Sequence, residues 1–142
     1  MIITNKEIKA LLDKYFTLKN DWLPTAPQWV TVKEDWLIQT NLRHHVLPYK
    51  KGKWECENDA ARYENERREE DALDDSEELA ENKRAIGIVL GRRFRHVNKK
   101  HVLNFAIVDT ENGPDLRLFD VRLHGVIWQP TKDDKGFFVE MK

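Results

Sequence analysis

The sequence predicts an α+β fold, with helices first and an antiparallel β-meander after them. Three observations carry this. Helix-start patterns cluster in the first half, around Thr4 and Thr31. Short apolar runs separated by turn residues fill the second half. Two of those runs flank Asn112-Gly113, a strong hairpin signal.

Thr4 is placed to cap a first helix whose apolar stripe is Ile8, Leu11, Leu12, Tyr15 and Phe16. Segment 20–27 ends it, because Pro24 and Pro27 are excluded from a helix interior. Trp22, Trp29 and Trp36 recur every seventh residue, but the prolines rule out a heptad and leave three separate core anchors. Thr31-Val32-Lys33-Glu34 reads as a capping box opening a second helix through about Val46, with Val32, Trp36, Thr40 and Val46 facing inward. Pro48 closes that helix, and Gly52 marks a turn before Cys56. A third helix starts near Cys56. Segment 57–84 then reads as a charged, helical and partly solvated excursion, poor in apolar residues around Asp74-Asp75-Ser76.

Strands follow at 85–91, 102–109, 116–123, 125–128 and 137–140. A hairpin turn centred on Glu111 and Asn112 sets Asp120 opposite Leu103. His101 is then its diagonal neighbour, about 7 Å away at the backbone and within side-chain reach. A one-residue slip would turn Asp120 to the other face.

The 142 residues read as one domain, with 40% hydrophobic residues and five tryptophans for a core and 35% charged residues for a solvated exterior. A net charge of −1 gives no reason to expect nucleic acid or an anionic membrane. The basic run from Arg92 to Lys100 is short and offset by the acidic segment, so it reads as a solvated loop. His44 and His45 are adjacent and diverge on a helix, which excludes joint metal ligation. No run is apolar enough to span a bilayer, and a lone cysteine fits a reducing, cytoplasmic setting.

That cysteine is the residue able to carry covalent chemistry. Cys56 at a helix start, His101 at the start of a strand and Asp120 on the next strand follow the order nucleophile, base, orienter. A helix N-terminus and a neighbouring imidazolium both favour a thiolate. His101 would take and return the proton, and Asp120 would fix its tautomer. The backbone N–H of Cys56 is the natural first oxyanion donor.

Trp54-Glu55-Cys56-Glu57-Asn58-Asp59-Ala60 resembles the aromatic-Asp-Cys-Asp-Asp-Phe-Ala signature of papain-like cysteine peptidases of the group that includes a fungal agglutinin's C-terminal protease domain and many phage and bacterial proteins. His101-Val102-Leu103-Asn104 resembles that group's His-Ala-Leu-Asn strand, and Leu118-Phe119-Asp120 matches its acid-bearing strand. The resemblance spans residues 32–128 and implies a papain-like fold with Cys56, His101 and Asp120 as the triad. In the agglutinin branch it also implies calcium or manganese held by acids beside the cysteine. Glu57 and Asn58 occupy those positions; Asn58 carries no charge, and no cofactor is expected. For the upstream glutamine of papains, the candidates are Gln39 and Asn41.

The expected function is a papain-like cysteine hydrolase forming a Cys56 thioester with a protein or peptide substrate. The alternative is a non-catalytic binding protein on the same fold, such as a phage or mobile-element accessory factor acting on a host protein. A nucleic-acid module using 92–100 is a third, weaker option.

Overall fold

The computed structural model describes residues 1–20 and 26–142. Trp22, and with it most of the proline-marked break, lies outside the described residues. The fold is α+β, with three helices and two sheets among the described residues.

Strand β1 (Ile2–Thr4) leads directly into α1 (Asn5–Tyr15). Thr4 caps α1 as expected: its hydroxyl accepts from Glu7 N–H, while the Glu7 carboxylate accepts from Thr4 N–H. Ile8 and Leu12 are fully buried from this helix. Strand β2 (Gln28–Val30) pairs antiparallel with β1 and parallel with the two-residue β3 (Lys83–Arg84).

The second helix departs from expectation. It runs as α2 (Glu34–Arg43), capped by Lys33 without a side-chain bond. Thr31 is spent elsewhere, its hydroxyl donating to Asp109 Oδ1 at 2.7 Å, and Val32 bridges to Val108. A capping-box pattern was available, but pairing to a central strand outcompeted it. Leu37, Thr40 and Asn41 are the buried positions of α2, and Val46 packs against the core from beyond the helix end.

The main sheet contains β4 (Ile86–Gly91), β5 (His101–Thr110), β6 (Gly113–Phe119), β7 (Ile127–Trp128) and β8 (Gly136–Glu140), in the order β7-β6-β5-β4-β8. This corrects the meander. The last strand pairs with β4 instead of β7, closing the opposite edge. The β5–β6 hairpin has the expected register, Thr110 opposite Gly113 and Asn104 opposite Phe119. Gly113 takes φ +101 at the turn exit, a conformation that costs other residues strain. Strand β6 stops at Phe119, short of the predicted 123, because Asp120 caps a 3-10 turn (Val121–Leu123) by accepting from Arg122 N–H.

Both faces of β5 are covered. Leu103, Phe105 and Ile107 join Ile8, Leu12 and Trp29 in one core cluster, while Ala106 and Val108 join Leu37, Tyr63 and Phe119 in the other. This explains why β5 reads as a nearly continuous apolar run.

Helix α3 (Cys56–Leu73) lies on the second face. Asn104, almost fully buried on β5, donates to Ala60 O at 3.0 Å. The solvated reading of this helix fails in part. Its buried positions are Asp59, Ala60, Tyr63, Glu64, Arg67 and Asp71, spaced by three and four residues like any buried helix face. Charge pairing replaces apolar packing along that stripe. Asp71 bonds Arg84 Nη1 at 2.6 Å and Arg68 Nη1 at 3.2 Å, and Arg68 also donates to the carbonyls of Arg84, Ile86 and Lys142. Arg67 lies over the Tyr63 ring at 4.7 Å and pairs with Glu70 at 3.0 Å. Buried charges persist only when paired in this way.

Candidate active site

The approach to Cys56 is a tight loop. Lys50 and Trp54 exchange backbone hydrogen bonds of 2.8 and 2.7 Å, turning the chain into Glu55, the residue before α3. Asn58 Oδ1 accepts from Glu55 N–H at 3.0 Å and fixes the helix start. Cys56, the first helical residue, is half-buried. In that first turn, backbone N–H groups lack intrahelical partners and point toward whatever lies at the helix end.

A second clamp sets this helix start against the Asp120 turn. Asp59 accepts from Trp54 Nε1 at 2.7 Å and from Arg122 Nε, while Arg122 Nη2 donates to Leu47 O at 2.8 Å. One arginine therefore joins the first turn of α3, the loop leading to Cys56 and the residue two positions after Asp120.

His101 and Asp120 meet as the hairpin register predicts: Nε2 lies 2.9 Å from Oδ2. Asp120 Oδ1 is occupied by Arg122 N–H at 3.1 Å, which fixes the carboxylate plane. Burial opposes charge on His101, but its hydrogen bond to Asp120, then Cys56 and the Asp120 charge, push its pKa up to about 9. Asp120 is driven the other way. Burial raises it, but hydrogen bonds from His101 and His96 outweigh that and hold it at about 2. The two form an ion pair across neutral pH.

Nε2 of His101 is taken by Asp120, so Nδ1 is the ring nitrogen left for the thiol. Sγ hydrogen-bonds to Glu57 Oε2 at 3.5 Å, and Cys56 is among the groups that raise the His101 pKa. His101 thus pairs with Asp120 and lies within the electrostatic reach of Cys56.

His96 was not singled out. Its Nε2 lies 3.0 Å from the same Asp120 Oδ2, and its ring packs edge-on against Trp128 (5.2 Å) and His101 (5.6 Å). The available signal was topological. Gly91 pairs with His101, so the basic loop 92–100 is the β4–β5 turn and must fold back over the strand start that carries His101.

The two metal candidates have other work. Asn58 Oδ1 caps α3 and Glu57 faces Cys56. Among the described residues, the three-ligand cluster is His96, His101 and Asp120. Of the two candidates for an upstream glutamine, Asn41 is buried with its amide donating to Leu37 O at 2.8 Å, and Gln39 is exposed.

No protein-family model matches the chain, and no curated protein matches it. Solved structures do. The PSL1a-E64 complex aligns with a TM-score of 0.77 at 12% sequence identity, covering 98% of this chain and 51% of that one. The chain spans about half the length of that protein, and likeness at this identity shows a shared fold.

Proposed function

We infer that this chain is a papain-like cysteine hydrolase that transfers an acyl group from an amide or ester of a protein or peptide to Cys56. The observation that carries the reading is the bracketing of one imidazole: Asp120 on Nε2 at 2.9 Å, with Cys56 acting on the remaining side of the ring. Its fold neighbour was solved in complex with E-64, a cysteine-protease inhibitor, which supports the same chemistry.

In this reading Cys56 and His101 react as a thiolate–imidazolium pair, with the thiol proton resting on His101 Nδ1, and the thiolate attacks the carbonyl carbon. The carbonyl electrons move to oxygen, stabilised by the Cys56 backbone N–H at the helix start. Collapse of this intermediate breaks the C–N or C–O bond as His101 returns the proton to the leaving group. Water, deprotonated by His101, then attacks the thioester, and Cys56 leaves as thiolate. Asp120 holds the imidazolium through both halves and stays ionised.

A second reading, a binding protein that has lost catalysis on this fold, is favoured by one observation. The Glu57 carboxylate lies 3.5 Å from Sγ and opposes a second negative charge there. Iodoacetamide and E-64 separate the two readings. The hydrolase labels at Cys56 at pH 6.5, faster than a model thiol, and His101→Ala slows this. Labelling no faster than a model thiol, and unchanged in His101→Ala, establishes the binding protein.

A further inference from the structure

We propose that His96, His101 and Asp120 form a binding site for a divalent transition metal such as Zn2+, whose occupation withdraws His101 from Cys56. The site itself stands on geometry. Its effect on Cys56 rests on the hydrolase reading.

His96 Nε2 and His101 Nε2 both point at Asp120 Oδ2, from 3.0 and 2.9 Å, and the three atoms lie within 4.8 Å of one another. Ligand atoms on a four-coordinate zinc ion stand about 3.3 Å apart when each is about 2.0–2.1 Å from the metal. Opening the two N···O distances by a few tenths of an ångström, and setting the two Nε2 atoms (now within 4.8 Å) at the same spacing, converts this hydrogen-bonded cluster into a three-ligand site with a fourth position open to water. His96 sits on the β4–β5 loop, and His101 at the start of β5.

The surroundings hold the donors in place. The His96 ring is fixed against Trp128 at 5.2 Å, and Phe94 stands edge-on to His101 at 6.4 Å. Arg122 N–H anchors Asp120 Oδ1 and leaves Oδ2 for the ion. Outer partners of this kind fix ligand orientation in metal sites generally. All three side chains are largely covered, with 20%, 14% and 11% of their surface exposed, so the ion would be partly withdrawn from water. Arg95, on the same loop as His96, is stacked on Trp128 at 4.7 Å. Two imidazoles and one carboxylate select Zn2+, Co2+ or Ni2+ over Ca2+ or Mg2+.

On binding, the Nε2 protons of both histidines pass to solvent and both nitrogens donate their lone pairs to the metal. His101 is then held as a neutral imidazole with its single proton on Nδ1, so it neither takes the thiol proton nor carries the positive charge that stabilises a thiolate. Metal and base use of His101 are mutually exclusive.

The test begins with Co2+ titration of Cys56→Ala, which removes the thiol as a competing ligand. Saturable one-to-one visible absorption is expected, with affinity falling at least about tenfold in Cys56→Ala/His96→Ala. Circular dichroism confirms that both variants are folded. Equal Co2+ affinity in the two overturns the site. Iodoacetamide labelling of the wild-type chain is then followed with one equivalent of Zn2+ and after EDTA. Slowing that EDTA reverses, and that His96→Ala abolishes, completes the proposal. Co2+ binding without slowed labelling overturns the coupling to Cys56 and counts against the hydrolase reading. Fast labelling with no Co2+ site sinks the metal proposal alone.

Discussion

Asp120→Asn tests the central pair most directly. Asparagine keeps the size and one acceptor but deletes the charge. His101 moves from 6.5 to about 9 in the folded chain, and Asp120 from 3.8 to about 2. At 1.36 kcal/mol per pKa unit these correspond to roughly 3 and 2.5 kcal/mol, two views of largely one interaction that cannot be summed. Cys56 supplies part of the His101 shift, so about 2 kcal/mol is assigned to the Asp120 pair. The sign at each end is fixed by linkage. His101, with a raised pKa, contributes stability fully below about 6.5, and the contribution is lost as pH rises through about 9. Asp120, with a lowered pKa, contributes above about 3.8, and the contribution is lost as pH falls through about 2.

Urea denaturation of wild type and Asp120→Asn should therefore give a stability gap that is flat and largest between about pH 4 and 6.5 and narrows on both sides. NMR titration of the His101 ring should show its midpoint near 9 in the wild type and at least about one unit lower in the variant. A gap independent of pH from 3 to 10, or an unmoved His101 midpoint, refutes the ion pair.

Four further outcomes are expected. Arg122→Ala removes the clamp between Asp59, Leu47 and the Asp120 turn, leaving a buried carboxylate unpaired. It should cost about 3 kcal/mol by urea denaturation and slow Cys56 labelling, and unchanged labelling would show that the clamp does not position the thiol. Gly87→Ala puts a Cβ 2.5 Å from Phe105 Cζ and 2.6 Å from Glu140 O, so melting should fall by the equivalent of about 1–3 kcal/mol. Glu64 is raised to about 7, mainly by burial; its contribution is therefore lost as pH rises from about 4.5 through 7, and Glu64→Gln should flatten that decline in a pH series of melts. Arg68→Met removes the donor to three backbone carbonyls and the partner of Asp71, and should cost about 3–5 kcal/mol in the same denaturation assay.

The hairpin was legible because its information is local. Asn112-Gly113 sets the turn, the turn sets the register, and period-two alternation then fixes which side chains share a face. The approach of His101 to Asp120 follows from those three steps alone. The lone cysteine at a helix start was legible for the same reason. What the sequence could not yield is the partner of a loop. His96 looks like part of a solvated basic run because its neighbours Arg92, Arg93 and Arg95 are charged. Its role appears only once β4 and β5 are paired and the loop between them is known to fold back.

Helix α3 starts where expected, but its solvated reading failed in part, for a different physical reason. Amphipathic analysis asks where apolar residues recur, and on this helix the buried stripe is largely charged. A charged stripe is indistinguishable from a solvated one until its partners are located, and beside the local pairs with Arg68 and Glu70 several lie far off in sequence: Arg122 for Asp59, Arg84 for Asp71, the backbone N–H of Lys142 for Glu64. These long-range pairs also bear on function. An apolar helix would be held by non-directional packing and could slide or rotate with little penalty. One fastened through Asp59, Glu64 and Asp71 has its rotation and its axial position fixed by directional bonds. The residue whose placement benefits most is the one at its first position, Cys56.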